Sequence, residues 1–273
     1  MKDKKFNIGI FIGSCDKYSD LWEPFFYFFK KYWSNCPFPV YLMSNTKAHR
    51  YAIPLYTEGK SWTEEMRCAL EQFPHDYLLY LQDDYFLTQE VNNSEFEELF
   101  SVIQKLKPAY FRLFPHRGPK PGILISKDIQ YLSKEELFAC SLQAAIWEKQ
   151  ALIGLLDQDE NIWKFELLAG NRAKKLSQPF LSIVWQWYLP RKERRYPINY
   201  FCTAIRKGKW REDAIDFCEQ EGFDVTLINR SIETRMDRFK KKLYDILPVR
   251  IQVLLVRYFF WMSGFSPTFC LLI

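Results

Sequence analysis

Apolar runs and amphipathic stretches alternate along the first half of the chain. Apolar runs of strand length cover 7–13, 38–44, 52–57, 76–87 and 109–115. Between them, apolar positions at helical spacing predict helices over 18–33, 61–73 and 93–106. Two of these helices begin with capping boxes, formed by Ser61 with Glu64 and Ser94 with Glu97. This alternation predicts an α/β fold with an open, mostly parallel sheet flanked by helices.

The alternation weakens after residue 119, where strands and helices become shorter. The pattern over 136–156 begins extended and becomes helical, 161–177 predicts a helix, and 180–200 predicts strand and loop. No stretch rich in Pro, Gly or Ser marks a linker before about residue 228. We therefore expect one domain over 1–228, followed by a helical appendage over 229–273.

The appendage combines basic and apolar residues. Met236, Phe239, Leu243, Ile246 and Leu247 recur at helical spacing, and an almost wholly apolar stretch follows Pro248. Arg257, Gly264 and Pro267 interrupt that stretch, so it does not match a spanning helix of about 20 apolar residues. The pattern favours a segment, 235–273, that lies in the interface of a membrane; a helix docked on the protein body is the alternative.

The charge distribution narrows the class of protein. The 273-residue chain has a formal net charge of +5, and residues 230–257 hold eight basic and three acidic side chains, which accounts for all of it. A neutral body with a cationic tail argues against a nucleic-acid binder. Seven scattered cysteines without a CxxC pair, and an N-terminus unlike a secretory signal, favour a cytoplasmic protein at the inner face of the membrane.

The end of the run at 76–87 carries the strongest chemical signal. Gln82, Asp83 and Asp84 follow five residues, Tyr77–Leu81, of an apolar strand. Ligands of open α/β sheets bind at the carboxyl ends of strands. Two adjacent carboxylates repel each other unless a cation or a donor neutralises them, and Mg²⁺ or Mn²⁺ bridging to a diphosphate would do so. An acidic turn that caps the next helix is the structural alternative.

The segment LLYLQDDYFL resembles the acidic strand end of nucleotide-sugar glycosyltransferases with the A-type fold (GT-A), especially those that assemble bacterial surface polysaccharides. The strand ending in SCDKYSD, the strand ending in SN and the later NIWKFE segment support the resemblance, which spans about residues 6–170. It implies a metal-dependent, hexosyltransferase-like enzyme. The donor half would cover about 1–118 and the acceptor half about 119–228, with Mn²⁺ or Mg²⁺ as cofactor.

The resemblance assigns roles on the donor side. Asp84 matches the metal-binding position, and Asp83 would lie beside the ribose or the metal. Gln82 stands where the family has its first acidic residue, so its amide would contact the donor without adding charge. Asp16 resembles the residue that contacts the nucleoside. Lys60 and Arg67 would neutralise the diphosphate, although surface solvation explains Lys60 equally well.

Inverting sugar transfer needs a base that takes the proton of the acceptor hydroxyl. Glu166, in NIWKFELL, resembles the acidic residue that faces the acceptor in these enzymes, and Glu148 is the second candidate. Trp163 and Trp147 offer flat faces for an acceptor sugar. A glutamate near a helix N-terminus also has a purely structural explanation, since it interacts favourably with the helix dipole.

Three functions follow from these patterns. The first is metal-assisted, inverting transfer of a sugar from a nucleotide-sugar donor to a hydroxyl of a glycan acceptor that is linked to a lipid. The second is a non-catalytic GT-A-like sugar-binding or scaffold protein in a membrane-associated polysaccharide assembly complex; the departure at Gln82 favours it. Nucleotidyl or phosphoryl transfer ranks last, because the chain has no glycine-rich phosphate loop.

Overall fold

A computed structural model describes residues 6–59, 61–115, 121–136, 138–158, 160–186, 188–190, 193–247, 251 and 254, and side chains other than those of 240–245. It divides into two compact units, one ending at Cys202 and the second starting at Thr203. This division falls within the range 119–228 that the sequence patterns assign to the acceptor half.

The first unit is built on an eight-stranded sheet. Its strands, in chain order, are β1 (Ile8–Gly13), β2 (Val40–Ser44), β3 (Ile53–Tyr56), β4 (Tyr77–Gln82), β6 (Tyr110–Arg112), β7 (Ile129–Tyr131), β8 (Ala145–Glu148) and β9 (Phe180–Ile183). The order across the sheet is β3-β2-β1-β4-β8-β6-β9-β7. Six strands run in one direction, while β8 and β7 are antiparallel to their neighbours. The predicted α/β class with an open, mostly parallel sheet is confirmed.

Helices cover the sheet in this unit. They are α1 (Trp22–Tyr32), α2 (Trp62–Gln72), α3 (Asn93–Leu106), α4 (Lys149–Leu155) and α5 (Ile162–Ala173). Phe11 and Tyr80, on one face of the strands, share a core cluster with residues of α2, α4 and α5. Ile10 and Leu79 point to the opposite face and are equally buried. Burial on both faces explains why these strands are continuous apolar runs.

The termini of the helices test the capping predictions. Ser61 and Glu64 form the predicted capping box at the start of α2. The predicted box at Ser94 and Glu97 is wrong: the N-cap of α3 is Asn92, two residues before Ser94, and its side chain accepts the backbone N–H of Ser94. Asparagine satisfies the free amide as well as serine does, so the first available cap sets the start of the helix.

The long predicted strand at 76–87 is divided in two. β4 ends at Gln82, and β5 (Phe86–Leu87) pairs instead with β10 (Tyr200–Phe201) in a separate two-stranded sheet. Asp83 and Asp84 form the turn between β4 and β5. The acidic pair therefore leaves the main sheet at its carboxyl edge, as the sequence predicts.

The second unit is small. It contains the hairpin of β11 (Ile205–Arg206) and β12 (Lys209–Trp210), then α6 (Glu212–Gln220) and α7 (Arg235–Ile246). Lys207 and Gly208 have positive φ angles of 54° and 72°, which a tight two-residue hairpin turn requires. The predicted C-terminal helix is present as α7. The apolar stretch after Pro248 lies outside the described residues, apart from Ile251 and Leu254.

Candidate functional site

Direction in the sheet brings separate parts of the sequence to one edge. Asp83 and Asp84 follow the last residue of β4, and Ser14 follows the last residue of β1, its parallel neighbour. Because β8 is antiparallel to β4, the residues that precede Ala145 lie at this same edge. The segment 138–143 therefore lies at the same edge as the acidic pair. We call the edge formed by Ser14, Asp83, Asp84 and the segment 138–143 the carboxyl-edge site.

The acidic pair is buried. Asp83 is 7% exposed and Asp84 is 9% exposed. The hydroxyl of Ser14 donates a short hydrogen bond to Oδ2 of Asp83, and the indole nitrogen of Trp22 donates to Ser14 Oγ at 2.7 Å. Since an indole N–H can only donate, the Ser14 hydroxyl accepts from Trp22 and directs its proton to Asp83. This arrangement stabilises a charged Asp83 at the strand end.

Glu166 lies at the same edge, on the second turn of α5, and its role as the base stays a prediction. Its Oε1 accepts the backbone N–H of Leu142 at 2.6 Å and the hydroxyl of Ser141 at 3.1 Å. Its Oε2 accepts no hydrogen bond from the residues that the structure describes. Burial raises the pKa of Glu166, while the bonds from Leu142 and Ser141 and the charge of Arg112 oppose that rise. A carboxylate held by one oxygen, with a raised pKa, has the properties of a general base.

A tyrosine pair joins the acidic pair to the 138–143 segment. The rings of Tyr85 and Tyr200 stack with centroids 4.5 Å apart. Gln143 donates to the Tyr85 hydroxyl at 3.0 Å and accepts from the Tyr200 hydroxyl. Burial raises the pKa of both tyrosines well above the ordinary value, and Asp84 adds to this. Both tyrosines therefore stay neutral and act as hydrogen-bonding supports.

Asp16 lies at this edge, but its carboxylate is occupied. Its oxygens accept the backbone N–H groups of Asn45, Thr46 and Lys47 at 3.0, 3.0 and 3.2 Å, and the Thr46 hydroxyl at 2.6 Å. Desolvation would raise the pKa of Asp16, but these hydrogen bonds outweigh it and lower the pKa. The side chain clamps the loops that follow β1 and β2, and its contact with a nucleoside stays a prediction.

The alternative base, Glu148, lies elsewhere. Glu148 is at the opposite edge of the sheet, because it pairs with Tyr77 at the start of β4, about 17 Å of strand away from Gln82. Its carboxylate caps α4 by accepting the N–H groups of Gln150 and Ala151. The alternative base is therefore wrong. The signal at Glu148 was a glutamate before a helix, and the helix itself explains it.

The two tryptophans predicted for the acceptor have different environments. Trp147 is 0% exposed and packs in the core, 4.2 Å from the Tyr110 ring centroid, so its placement on the acceptor side is wrong. Trp163 is partly exposed on the first turn of α5. It shares that helix with Glu166 and stays a prediction as an acceptor contact.

Three further residues are predicted on the donor side: Arg67, Gln82 and Lys60. Arg67 donates to the carbonyl of Leu156, which joins α2 to the end of α4. Gln82 is the last residue of β4 and is partly buried beside Tyr80. Lys60 lies outside the described residues. Of the two described residues, Gln82 lies next to the acidic pair, and Arg67 does not contact it.

The donor set at the carboxyl edge suits a hard divalent cation. Mg²⁺ and Mn²⁺ prefer carboxylate oxygens, and one or two protein carboxylates suffice when phosphate oxygens complete the shell. Asp84 and Asp83 could supply those carboxylates. In the part of the chain that the structure describes, no group of three or more His, Cys, Asp and Glu side chains could hold a metal ion.

Several residues of the site lack a sequence signal. Gln143 and Tyr200 come from segments whose chain direction the apolar pattern does not reveal, whereas Ser14 follows the predicted strand at 7–13 and is a small residue without an obvious chemical role. Arg112 is different, since an arginine inside the apolar run at 109–115 needs a buried partner, and that signal was available.

Comparison with known proteins finds no matching family model and no matching curated protein. Among solved structures, TarS 1–349 of S. aureus is similar to 73% of this chain and 61% of its own, with 11% identity and a TM-score of 0.45. The same fragment in complex with UDP-GlcNAc gives 11% identity and 0.42, over 74% and 59% of the chains. The bifunctional IspDF from Campylobacter jejuni gives 12% and 0.40, over 70% and 55%.

This chain thus spans about three fifths of TarS 1–349. Similarities of this size say nothing about activity, so we take the function from the site itself.

Proposed function

We propose that this protein is a nucleotide-sugar glycosyltransferase whose active site is the carboxyl-edge site. One observation carries the proposal: the turn Asp83–Asp84 and the carboxylate of Glu166 lie at the same edge of the sheet, although more than 80 residues separate them in sequence. Burial raises the pKa of Tyr80 and of Tyr85, and the charges of Asp84 and Glu166 add to that rise, which supports a position of both acids near these tyrosines.

On the donor side, Asp84 with Asp83 would hold Mn²⁺ or Mg²⁺, which when bound neutralises the charge that develops on the diphosphate leaving group. Gln82 would hydrogen-bond the ribose. The hydroxyl of Ser14 donates a hydrogen bond to the carboxylate of Asp83, which favours its charged form. The buried position of both aspartates strengthens their attraction for a cation, because water screens it less.

On the acceptor side, Glu166 would take the proton of the attacking hydroxyl, which corresponds to inverting transfer. Leu142 and Ser141 fix Oε1, so Oε2 is the atom that would receive the proton. Since burial raises the pKa of Glu166 above 4.5, we expect activity to fall on the acid side at a pH above that value. Trp163, nearby on α5, would contact the acceptor sugar.

We further propose that 235–273 holds the protein at the inner face of the membrane, beside a lipid-linked glycan acceptor. Met236, Phe239 and Ile246 of α7 are 59%, 58% and 72% exposed, and the surrounding segment carries the net positive charge. Exposed apolar side chains flanked by cations suit an anionic lipid surface. None of the helices described by the structure is long and apolar enough to cross a membrane.

The experiment combines a donor panel with two matched aspartate variants. UDP-, GDP- and CMP-sugars are offered with Mn²⁺, starting from UDP-GlcNAc, and both melting temperature and release of nucleotide are measured. Asp84→Asn should lose at least about 100-fold in turnover. Asp76→Asn, at the other end of β4 and exposed, should keep it.

The outcomes separate the two leading functions. A donor that raises the melting temperature and is turned over supports the transferase. A donor that binds without turnover supports the non-catalytic sugar-binding protein instead. Turnover that survives in Asp84→Asn would remove the acidic pair from the reaction.

A further inference from the structure

Arg112 is a buried cation that the proposed reaction does not use. It lies at the end of β6 with 3% exposure. Its Nη2 donates to the carbonyls of Phe138 and Ala139, and its Nε donates to the Tyr110 hydroxyl at 3.2 Å. A buried guanidinium is costly unless its donors are satisfied, so these contacts fix the main chain at 138–139 firmly.

Tyr110 provides a second connection to the same segment. Its hydroxyl donates to the carbonyl of Ser141 at 2.8 Å, and burial raises its pKa to about 12, so it remains a donor. The segment is therefore held at three carbonyls, those of Phe138, Ala139 and Ser141. The next two groups along it, the Ser141 hydroxyl and the Leu142 N–H, bind Glu166.

The backbone of the segment needs this support. Phe138 has a φ of 57°, in the left-handed region that non-glycine residues rarely adopt. Such a conformation persists only where the surroundings hold it in place, and the carbonyl of this same residue accepts from Arg112. Ser141 Oγ also accepts the N–H of Gln143, which continues the network to the tyrosine pair beside Asp84.

We propose that Arg112 is a positioning residue for Glu166, acting through the 138–143 segment. It shapes the two donors that hold Oε1 and supplies the positive charge that faces the buried carboxylate. The proposal rests on Glu166 being the base of the proposed transferase. The ionisable side chains that interact with Glu166 in the described part of the chain are Arg112 and Tyr110 of β6, Cys140, Tyr80 of β4, and Tyr85. Arg112 is the cation among them.

The test reads the protonation of Glu166 directly. The full chain is labelled with ¹³C at the glutamate carboxyl, Glu166→Gln identifies the signal, and its midpoint is followed by NMR titration. Arg112→Gln removes the charge while it keeps an N–H donor, and Arg112→Lys keeps the charge without the planar fork. Arg112→Gln should raise the midpoint by about one pH unit, and Arg112→Lys by less.

Arg172→Gln is the matched control. Arg172 lies on α5 with Glu166, and its hydrogen bonds go to Glu160, at 2.6 Å, and to the carbonyl of Leu155, outside the 138–143 segment. Its charge acts on Cys140 of that segment, but not on Glu166, so it controls for the loss of a nearby cation. In Arg172→Gln, the titration midpoint of Glu166 should stay at the wild-type value. The acid limb of kcat/KM against pH should move with the midpoint in the Arg112 variants.

Each outcome decides the proposal. An unchanged midpoint in the Arg112 variants, or an equal shift in Arg172→Gln, overturns it; if one Arg112 variant does not fold, the other decides. The titration needs no turnover, so its result is separate from that of the proposed reaction. Full activity of Glu166→Gln would reject the base and leave the effect of Arg112 on the carboxylate standing.

Discussion

At the residue scale, the close approach of β1 and β4 places the side chain of Tyr80 against Gly13. A Cβ added at Gly13 would lie 2.5 Å from the Tyr80 hydroxyl and 3.0 Å from its Cζ. Tyr80 is buried, and burial raises its pKa far above the ordinary value, so the hydroxyl is neutral. It also hydrogen-bonds Gln82, the last residue before the acidic pair. Gly13 thus leaves the space that lets Tyr80 reach the carboxyl-edge site.

Replacement of this glycine should show the contact. We expect Gly13→Ala to lower the free energy of unfolding by about 1–3 kcal/mol, because a fully buried ring cannot move away easily. Tyr80→Phe removes the atom that collides, so the double variant should recover part of the loss. Urea denaturation of the four proteins measures this coupling. Strictly additive losses would mean that the two residues do not meet.

At the element scale, the direction of β8 determines which acids share the site. β8 runs opposite to β4, so its first residues meet the end of β4 and its last residue, Glu148, meets the start. α5 then brings Glu166 to the segment before β8. The antiparallel direction of β8 therefore places Glu166 and Glu148, the first and second candidates for the base, at opposite edges of the sheet.

The cap of α4 gives a prediction for Glu148. Glu148→Ala should lower the free energy of unfolding by about 1 kcal/mol, because Gln150 and Ala151 lose the acceptor of their N–H groups. Turnover of the donor should not change. Glu148→Asp, which keeps a capping carboxylate, should restore stability. Thermal melts and a turnover assay check both points, and a large loss of turnover in Glu148→Ala would return this residue to the active site.

The same elements show what the sequence could predict. Apolar runs reveal β1, β2 and β4 because those strands are buried on both faces, and the position of Asp83 and Asp84 follows from the end of the run. The short strands β6 to β9 have too few residues for their pattern to reveal direction or order. Tyr200 lies at the site because β10 pairs with the two-residue β5. Strands this short have no local sequence pattern that predicts their pairing.

At the scale of the whole molecule, the net charge concentrates at the C-terminal end, where exposed apolar side chains also occur. The body is neutral, and residues 230–257 account for the net charge of +5. In α7, Arg235 and Arg238 stand beside the exposed Met236 and Phe239. If the protein is the transferase that we propose, a segment of this kind would hold it close to an acceptor anchored in a membrane.

Vesicle sedimentation tests this part of the account. The full chain should pellet with anionic vesicles at low salt and be released as salt rises. Met236→Gln with Phe239→Gln should weaken binding about 10-fold or more, because two apolar side chains no longer enter the interface. Leu227→Gln with Ile232→Gln, also exposed in the second unit, is the control. Equal losses in both pairs, or no pelleting of the wild type, would contradict the membrane role.

In the proposed function, Glu166 and the acidic pair form one active site. The most direct measurement compares kcat/KM for sugar transfer from a donor that the panel identifies, in the wild type and in Glu166→Gln, with nucleotide affinity measured alongside. The amide can still accept from Leu142 and Ser141, but it cannot take a proton. We expect a loss of about 100- to 10,000-fold in kcat/KM with unchanged nucleotide affinity. Wild-type turnover in Glu166→Gln would contradict the account.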